Sequence, residues 1–416
     1  MIALFYAVAI VGAYYFILRR PVFDFVSAGF FGCVVYFMPG FHGLLFNPYY
    51  PDDFPIEIVS NATYAVWIAA MLGSIVTGLL YNPAPLGPAA RREMAQPFTT
   101  PIADFAIIGL LGASFIVAIL SGGDALFSPD KNDVLSVQDR PVILFATLSQ
   151  VTLALFLVQK RYLVAIPSIF AVAFLVFVGF RAELAIASLS ILVWIAHRNG
   201  IRSFFKLRNL FLLTFVVVFL FAYKFLYISV KMGRWDMVAQ IIQSSDFLSS
   251  IFLKSEPFIT QSILNEVIAR DFHIDFSNFV ASFASIIPFS NVITSLSVDQ
   301  IAFNFQEQLF PNLRYGVASN IYANFYAGLG YPGVVVYIFI QNVALVYISK
   351  YMIRRDGFAK LALALIGAFI AFYIHRNDIA NSITLVNRSL YCCLALWLVS
   401  MAAKAISPAK RPQTSI

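Results

Sequence analysis

Apolar residues in this chain of 416 gather into continuous runs of about 20 positions, separated by polar connections. A run of that length crosses the ~30 Å hydrocarbon core of a bilayer as a helix, whereas barrel strands would alternate. The pattern predicts eleven spans, near 2–18, 22–46, 62–81, 102–120, 142–159, 162–180, 182–196, 209–229, 319–349, 359–375 and 388–403. The run at 22–46 is long and holds Pro39 and Gly40, so a kink or break is expected there. The first run lacks a positive flank and a small-residue cleavage site, which reads as a retained helix. The predicted class is an all-α polytopic membrane protein.

Charge sorts the connections. Alternate ones are basic: Arg19-Arg20, Arg91-Arg92, Lys160-Arg161, the stretch His197 to Arg208, and Lys350 to Lys360, with Lys404, Lys410 and Arg411 in the tail. Placing these in the cytoplasm gives that side 17 Lys/Arg and 4 acids, and the opposite side 11 Lys/Arg and 17 acids. The positive-inside rule then sets the N-terminus outside and the C-terminus inside.

One connection stands apart. Residues 230–318 form a predicted extracytoplasmic loop, in which the stretch from Asp246 to Pro288 interleaves Phe, Ile and Leu with single charges at roughly helical spacing. It divides the chain into eight spans (1–229), the loop (230–318), three spans (319–403) and a cytoplasmic tail (404–416). Short amphipathic helices over the mouth of the bundle are expected, and a loop that long is usually functional. No internal repeat of the kind found in inverted-topology transporters is visible.

Composition agrees: 60% of residues are hydrophobic and 12% charged, against roughly a quarter charged in soluble domains. The net charge of +7 lies in clusters between apolar runs, with no basic-aromatic surface for nucleic acid. Cys33, Cys392 and Cys393 fall inside apolar runs and are expected to pack as small hydrophobes. The signatures GxxxxGK[ST], HExxH, CxxC and GxSxG are absent, and the four His residues show no metal-ligand spacing. No cofactor or metal is expected.

Candidate chemistry concentrates on the outer side. Arg181, in GFRAEL, sits between two apolar runs with almost no loop. It reads either as an interfacial arginine reaching headgroups or as a fork for a phosphate or diphosphate. Glu183 follows at i+2, which in a continuous helix would face elsewhere. The turn HRNDIANSITLVNRS gathers His375, Arg376, Asn377, Asp378, Asn381 and Arg388. Such a set suits hydroxyls plus an anion, although a polar turn capping two helices would look alike. In and beyond the loop, Glu256, Glu266 and Glu307 are acids, Asp271 and Asp275 flank His273, and Arg314 precedes the ninth run. Glu256, Glu307 and Asp378 are the candidate general bases. Arg181, Arg314, Arg376, Arg388, His375 and Asn381 are the candidate substrate or diphosphate ligands.

The succession GFRAEL, FASIIPFSN, NIYANFYAGLGYPGVVV (with Gly328, Gly330 and Gly333) and the Arg-rich turn HRND…NRS resembles bacterial Wzy-type oligosaccharide repeat-unit (O-antigen) polymerases of the inner membrane. The resemblance covers roughly residues 175–395. Where that family often carries a glutamate at the helix start, this chain has Asn320, Tyr322 and Asn324. The resemblance implies a GT-C-like plan and transfer of a glycan from undecaprenyl diphosphate to another lipid-linked repeat unit. It further implies the lipid bilayer and a chain-length regulator as partners. An O-antigen ligase shares the plan, and a lipid-linked oligosaccharide flippase is the alternative of another class.

Overall fold

The computed structural model describes residues 1–38, 59–88, 97–129, 131–137, 140–200, 222–223, 226–245, 247, 256–287, 301–310, 319–355 and 357–406. Among them every regular element is helical. The principal helices are α1 (Ile2–Tyr14, continued by a π-helical turn, Tyr15–Arg19), α2 (Phe25–Phe37), α3 (Asn61–Leu80), α4 (Pro101–Gly122) and α5 (Arg140–Val158). They continue with α6 (Tyr162–Val178), α7 (Ala182–Asn199), α8 (Glu256–Ala269), α9 (Ile321–Arg354), α10 (Gly357–Ala371) and α11 (Ile379–Ile406).

Six stretches are long and apolar enough to cross a membrane: Ile2–Arg19, Asn61–Leu80, Pro101–Phe127, Arg140–Val158, Ile321–Arg354 and Ile379–Ile406. The helices α2, α6 and α10 are apolar but shorter. Of the remaining predicted runs, 182–196 coincides with α7, and most of 209–229 lies outside the described residues, as do Pro39 and Gly40.

The bundle is built around α5, which is buried along nearly its whole length from Val142 to Val158 and packs on α4, α6 and α7. A second layer joins α2, α3, α9 and α10, while α11 closes against α4 and α10. Helices on the outside present large apolar side chains outward, among them Leu80, Phe105, Leu120, Leu163, Phe170 and Phe339, each more than two-thirds exposed. A monomer in water rarely exposes an apolar belt of this kind; lipid is its natural cover. Together with the six long apolar helices, this suits a polytopic membrane protein.

The connections sort into two ends. At one, Arg20 donates to the Tyr81 carbonyl (2.9 Å), Thr99 donates to Gln159 Oε1 (3.0 Å), and Arg161 pairs with Asp104. At the other, Ser60 N–H bonds Asn265 Oδ1 (2.9 Å), Ser319 N–H bonds the Arg376 carbonyl (3.2 Å), and Asn387 donates to the Ser285 carbonyl (2.9 Å). The first set belongs to the basic connections of the sequence and the second to the others.

Two elements differ from expectation. The last helix begins at Ile379, not near 388. Hydropathy hides its first turns because Asn381, Thr384, Asn387 and Arg388 are polar, yet Asp378 caps them: its Oδ1 accepts Asn381 N–H at 2.6 Å. Arg388 therefore stands in the third helical turn and not at a helix mouth. Within the long loop, α8 is not a surface helix. Ile263, Leu264 and Val267 are fully buried, and so are Thr260, Gln261, Asn265 and Glu266 around the same helix. Hydrogen bonds explain how polar positions enter the core. Gln261 donates to the Tyr36 carbonyl (2.5 Å), Asn265 Oδ1 accepts from Thr63 (3.0 Å), and Asn320 donates to the Thr260 carbonyl (2.9 Å). By contrast, the loop helix Trp235–Gln243 buries no residue.

Candidate functional site

The site lies at the end of the bundle around the connection from α10 to α11, whose turn packs on α7 and α9. Its first part comes from a tight reversal. Gly179 ends α6 at φ +117°, a conformation open to glycine, and Phe180 N–H returns to the Leu175 carbonyl at 2.8 Å. Arg181 is then the N-cap of α7, outside the helix, and Glu183 lies in its first turn. The i, i+2 argument against a shared face assumes a continuous helix, so it fails at this boundary.

The second part is the connection from α10 to α11. A single 3-10 turn, Tyr373–Arg376, crosses between them, and the Arg376 guanidinium lies over the Tyr373 ring, 5.0 Å from its centroid. Arg376 and Arg388 both act electrostatically on Glu183. Glu183 thus lies within electrostatic range of arginines from two separate elements of the chain, two positions after Arg181 in sequence. Glu183 Oε2 is buried and has no hydrogen-bond partner among the described residues. A buried carboxylate oxygen without a donor costs about 1–3 kcal/mol or more, so its retention needs a reason.

The broken helix α9 supports this junction. Asn320 caps it, with Oδ1 accepting from Tyr322 N–H (2.9 Å) and Ala323 N–H (3.2 Å). Gly330 interrupts it at φ +66°, ψ −155°, which leaves the buried segment Ile321–Ala327 as a separate short helix ahead of the long one. Asn324 donates to Ser319 Oγ (2.8 Å) and accepts Ile379 N–H (3.2 Å), fastening that segment to the start of α11. Both Asn320 and Asn324 use donor and acceptor together. A glutamate offers only acceptors, which gives a physical reason for amides at this helix start.

The other candidates separate. Asp378 is 1% exposed, and its oxygens face Asn381, at 2.6 Å to N–H and 3.3 Å to Nδ2. Burial raises its pKa above the ordinary carboxylate value, and the Asn381 N–H bond pulls back less strongly. Asp378 and Asn381 are thus occupied in starting α11. His375 is fully buried, stacked on Tyr322 with ring planes 5° apart and 3.8 Å from Cys33 Sγ. It packs inside the bundle among Cys33, Tyr36, Phe37 and Tyr322. Glu307 is exposed on the loop helix Ile301–Leu309. Glu256 opens α8, and its side chain lies outside the described residues, as does all of Arg314. Glu266, buried on α8, pairs with Arg270 at 2.9 Å. The residue that sequence reasoning set aside is Glu183; its signal was the glycine two residues before Arg181, which marks a helix end.

Comparisons with protein-family models, curated proteins and solved structures find no match to this chain.

Proposed function

We propose that the chain is a membrane-embedded glycosyltransferase that joins lipid-diphosphate-linked oligosaccharide repeat units into a polysaccharide. The observation that supports this reading is that Arg376 and Arg388 lie within electrostatic range of Glu183, one of whose carboxylate oxygens is buried without a hydrogen-bond partner among the described residues. A diphosphate leaving group needs fixed cations that hold it and offset the charge it gains, and arginine forks suit phosphate oxygens better than point charges. The acceptor hydroxyl oxygen attacks the anomeric carbon while the bond from that carbon to the phosphate oxygen breaks. The bonding pair leaves on the diphosphate, beside the guanidiniums, and the hydroxyl proton passes to Glu183. The role of base thereby moves from Glu256, Glu307 and Asp378 to Glu183.

In this reading the positive-inside rule puts this end of the bundle outside the cytoplasm, where lipid-linked repeat units are polymerised in the family that the sequence resembles. The reading is therefore an undecaprenyl-diphosphate-dependent polymerase of the bacterial inner membrane. The energy is carried by the glycosyl diphosphate itself, and no nucleotide is required.

Deletion and complementation in a bacterium that makes such a glycan tests the reading. Loss of the chain should leave single repeat units attached to the carrier or core, and Glu183→Gln or Arg388→Ala should reproduce this with the protein still in the membrane. Loss of every attached repeat would favour a ligase or flippase, and an unchanged chain-length distribution would remove both residues from the mechanism.

A further inference from the structure

The opposite end of the bundle holds a second, separate feature. A pocket of about 330 Å³ opens between the end of α3 and the last turns of α9, lined by Tyr81, Pro83, Val346, Lys350, Ile353 and Arg354. Val346, Lys350 and Arg354 repeat every four residues, so one helical stripe runs from apolar to cationic as it reaches the helix end. Lys350 and Arg354 are both exposed. Among the described residues the neighbouring acid is Asp24, which is fully buried and paired with Arg20 at 2.7 Å, and Arg20 in turn donates to the Tyr81 carbonyl. Its carboxylate is therefore spent internally and does not neutralise the pocket.

The surroundings indicate what enters. Beside the pocket and from there towards the middle of the bundle, the same two helices expose Leu80, Leu79 and Val76 on α3 and Tyr347 and Val343 on α9, each between 49% and 84% exposed. The pocket thus joins a pair of cations at the bundle end to an apolar surface that lipid covers. A free anion would use the first part and leave the second idle. The carbonyl end of α9 carries partial negative charge and opposes an anion, so the attraction must come from the two side chains.

We propose that this pocket binds the headgroup of an anionic phospholipid, with phosphate at Lys350 and Arg354 and acyl chains along the exposed faces of α3 and α9. The proposal rests on the membrane-spanning reading of the chain and is independent of the glycosyl-transfer reading. Attraction of anionic lipid is worth about fivefold in partitioning per Lys or Arg near the surface, hence roughly 25-fold for the pair.

The test uses the full-length protein purified in a neutral detergent, with native mass spectrometry to count retained lipids and no glycan substrate present. Dioleoyl phosphatidylglycerol should be retained in preference to dioleoyl phosphatidylcholine. Lys350→Gln and Arg354→Gln should each weaken that retention about fivefold, and the double variant roughly 25-fold. The charge-keeping pair Lys350→Arg with Arg354→Lys should retain the preference. Arg19→Gln, an exposed cation at the same end that instead donates to Tyr14, should leave it unchanged. Equal retention of the two lipids, loss of preference in Arg19→Gln alone, or displacement of the lipid by millimolar inorganic phosphate would overturn the proposal. The phosphate result would assign the pocket to a soluble anion.

Discussion

Asn324 and Ile379 are joined by a hydrogen bond of 3.2 Å from the Ile379 N–H to the Asn324 side-chain oxygen, across 55 positions of sequence. The bond ties the short buried segment of α9 to the first residue of α11, and so fixes where Arg388 stands relative to α7. Replacing Asn324 with Leu leaves Ile379 N–H and Ser319 Oγ without partners in a fully buried place. It should cost about 1–3 kcal/mol, read as a lowered Tm in detergent. Asn324→Asp keeps the acceptor for Ile379 but loses the bonds that Nδ2 donates to Ser319 Oγ (2.8 Å) and to the Asn320 carbonyl (3.0 Å), and should be nearly as damaging. A Tm equal to that of the parent in both variants would show that the junction does not depend on this side chain.

Two glycines predict opposite outcomes for the same substitution. A methyl group on Gly32 of α2 would collide with the carbonyl oxygen of Ala371, a backbone atom that cannot rotate away. Gly32→Ala should therefore destabilise by about 1–3 kcal/mol, through separation of α2 from α10. Gly109, on the exposed face of α4, meets nothing within 4 Å. Gly109→Ala should be neutral or gain about 0.5–1 kcal/mol from helix propensity. Thermal unfolding of the two proteins side by side checks the pair, and equal shifts would contradict the packing described.

Gly330 makes a separate demand, on the backbone. Its φ of +66° with ψ of −155° is a region that alanine enters at a cost of about 1–3 kcal/mol. Gly330→Ala should lower Tm, and should also lower activity if the broken helix positions the site. An unaltered Tm would mean that α9 can run through position 330 without a break.

Asp378 gives a pH signature. Its pKa in the fold lies above the ordinary 3.8 because burial disfavours the charged form. The stability this contributes is present below the ordinary carboxylate value and is lost as pH rises through the raised one. The parent protein should therefore lose Tm across that acidic window, while Asp378→Asn, which keeps an N-cap oxygen, should show a flatter profile. Parallel profiles would show that Asp378 does not titrate in this way.

Hydropathy made most of the bundle legible, since burial in lipid or protein demands long apolar runs. It misplaced elements where polarity serves the fold. The start of α11 was hidden by Asn381, Asn387 and Arg388, polar residues on a helix whose first turns lie among other helices. The embedding of α8 was hidden because Thr260, Gln261 and Asn265 read as loop surface, and only their tertiary partners reveal them as core. At the site, the two arginines were legible as charges close to apolar runs. Their electrostatic range to Glu183 was not, because it depends on the three-residue reversal at Gly179 and on the 3-10 turn at Tyr373–Arg376.

In the proposed function Glu183, Arg376 and Arg388 carry glycosyl transfer from a lipid diphosphate. The most direct measurement reconstitutes the purified chain in liposomes with a lipid-diphosphate-linked repeat unit and follows both glycan length and release of the polyprenyl diphosphate. The parent protein should lengthen the glycan and release one diphosphate per linkage formed. Glu183→Gln should abolish both products while still binding the lipid-linked substrate. Equal elongation by Glu183→Gln, or no elongation by the parent protein with its matching substrate, would contradict the account.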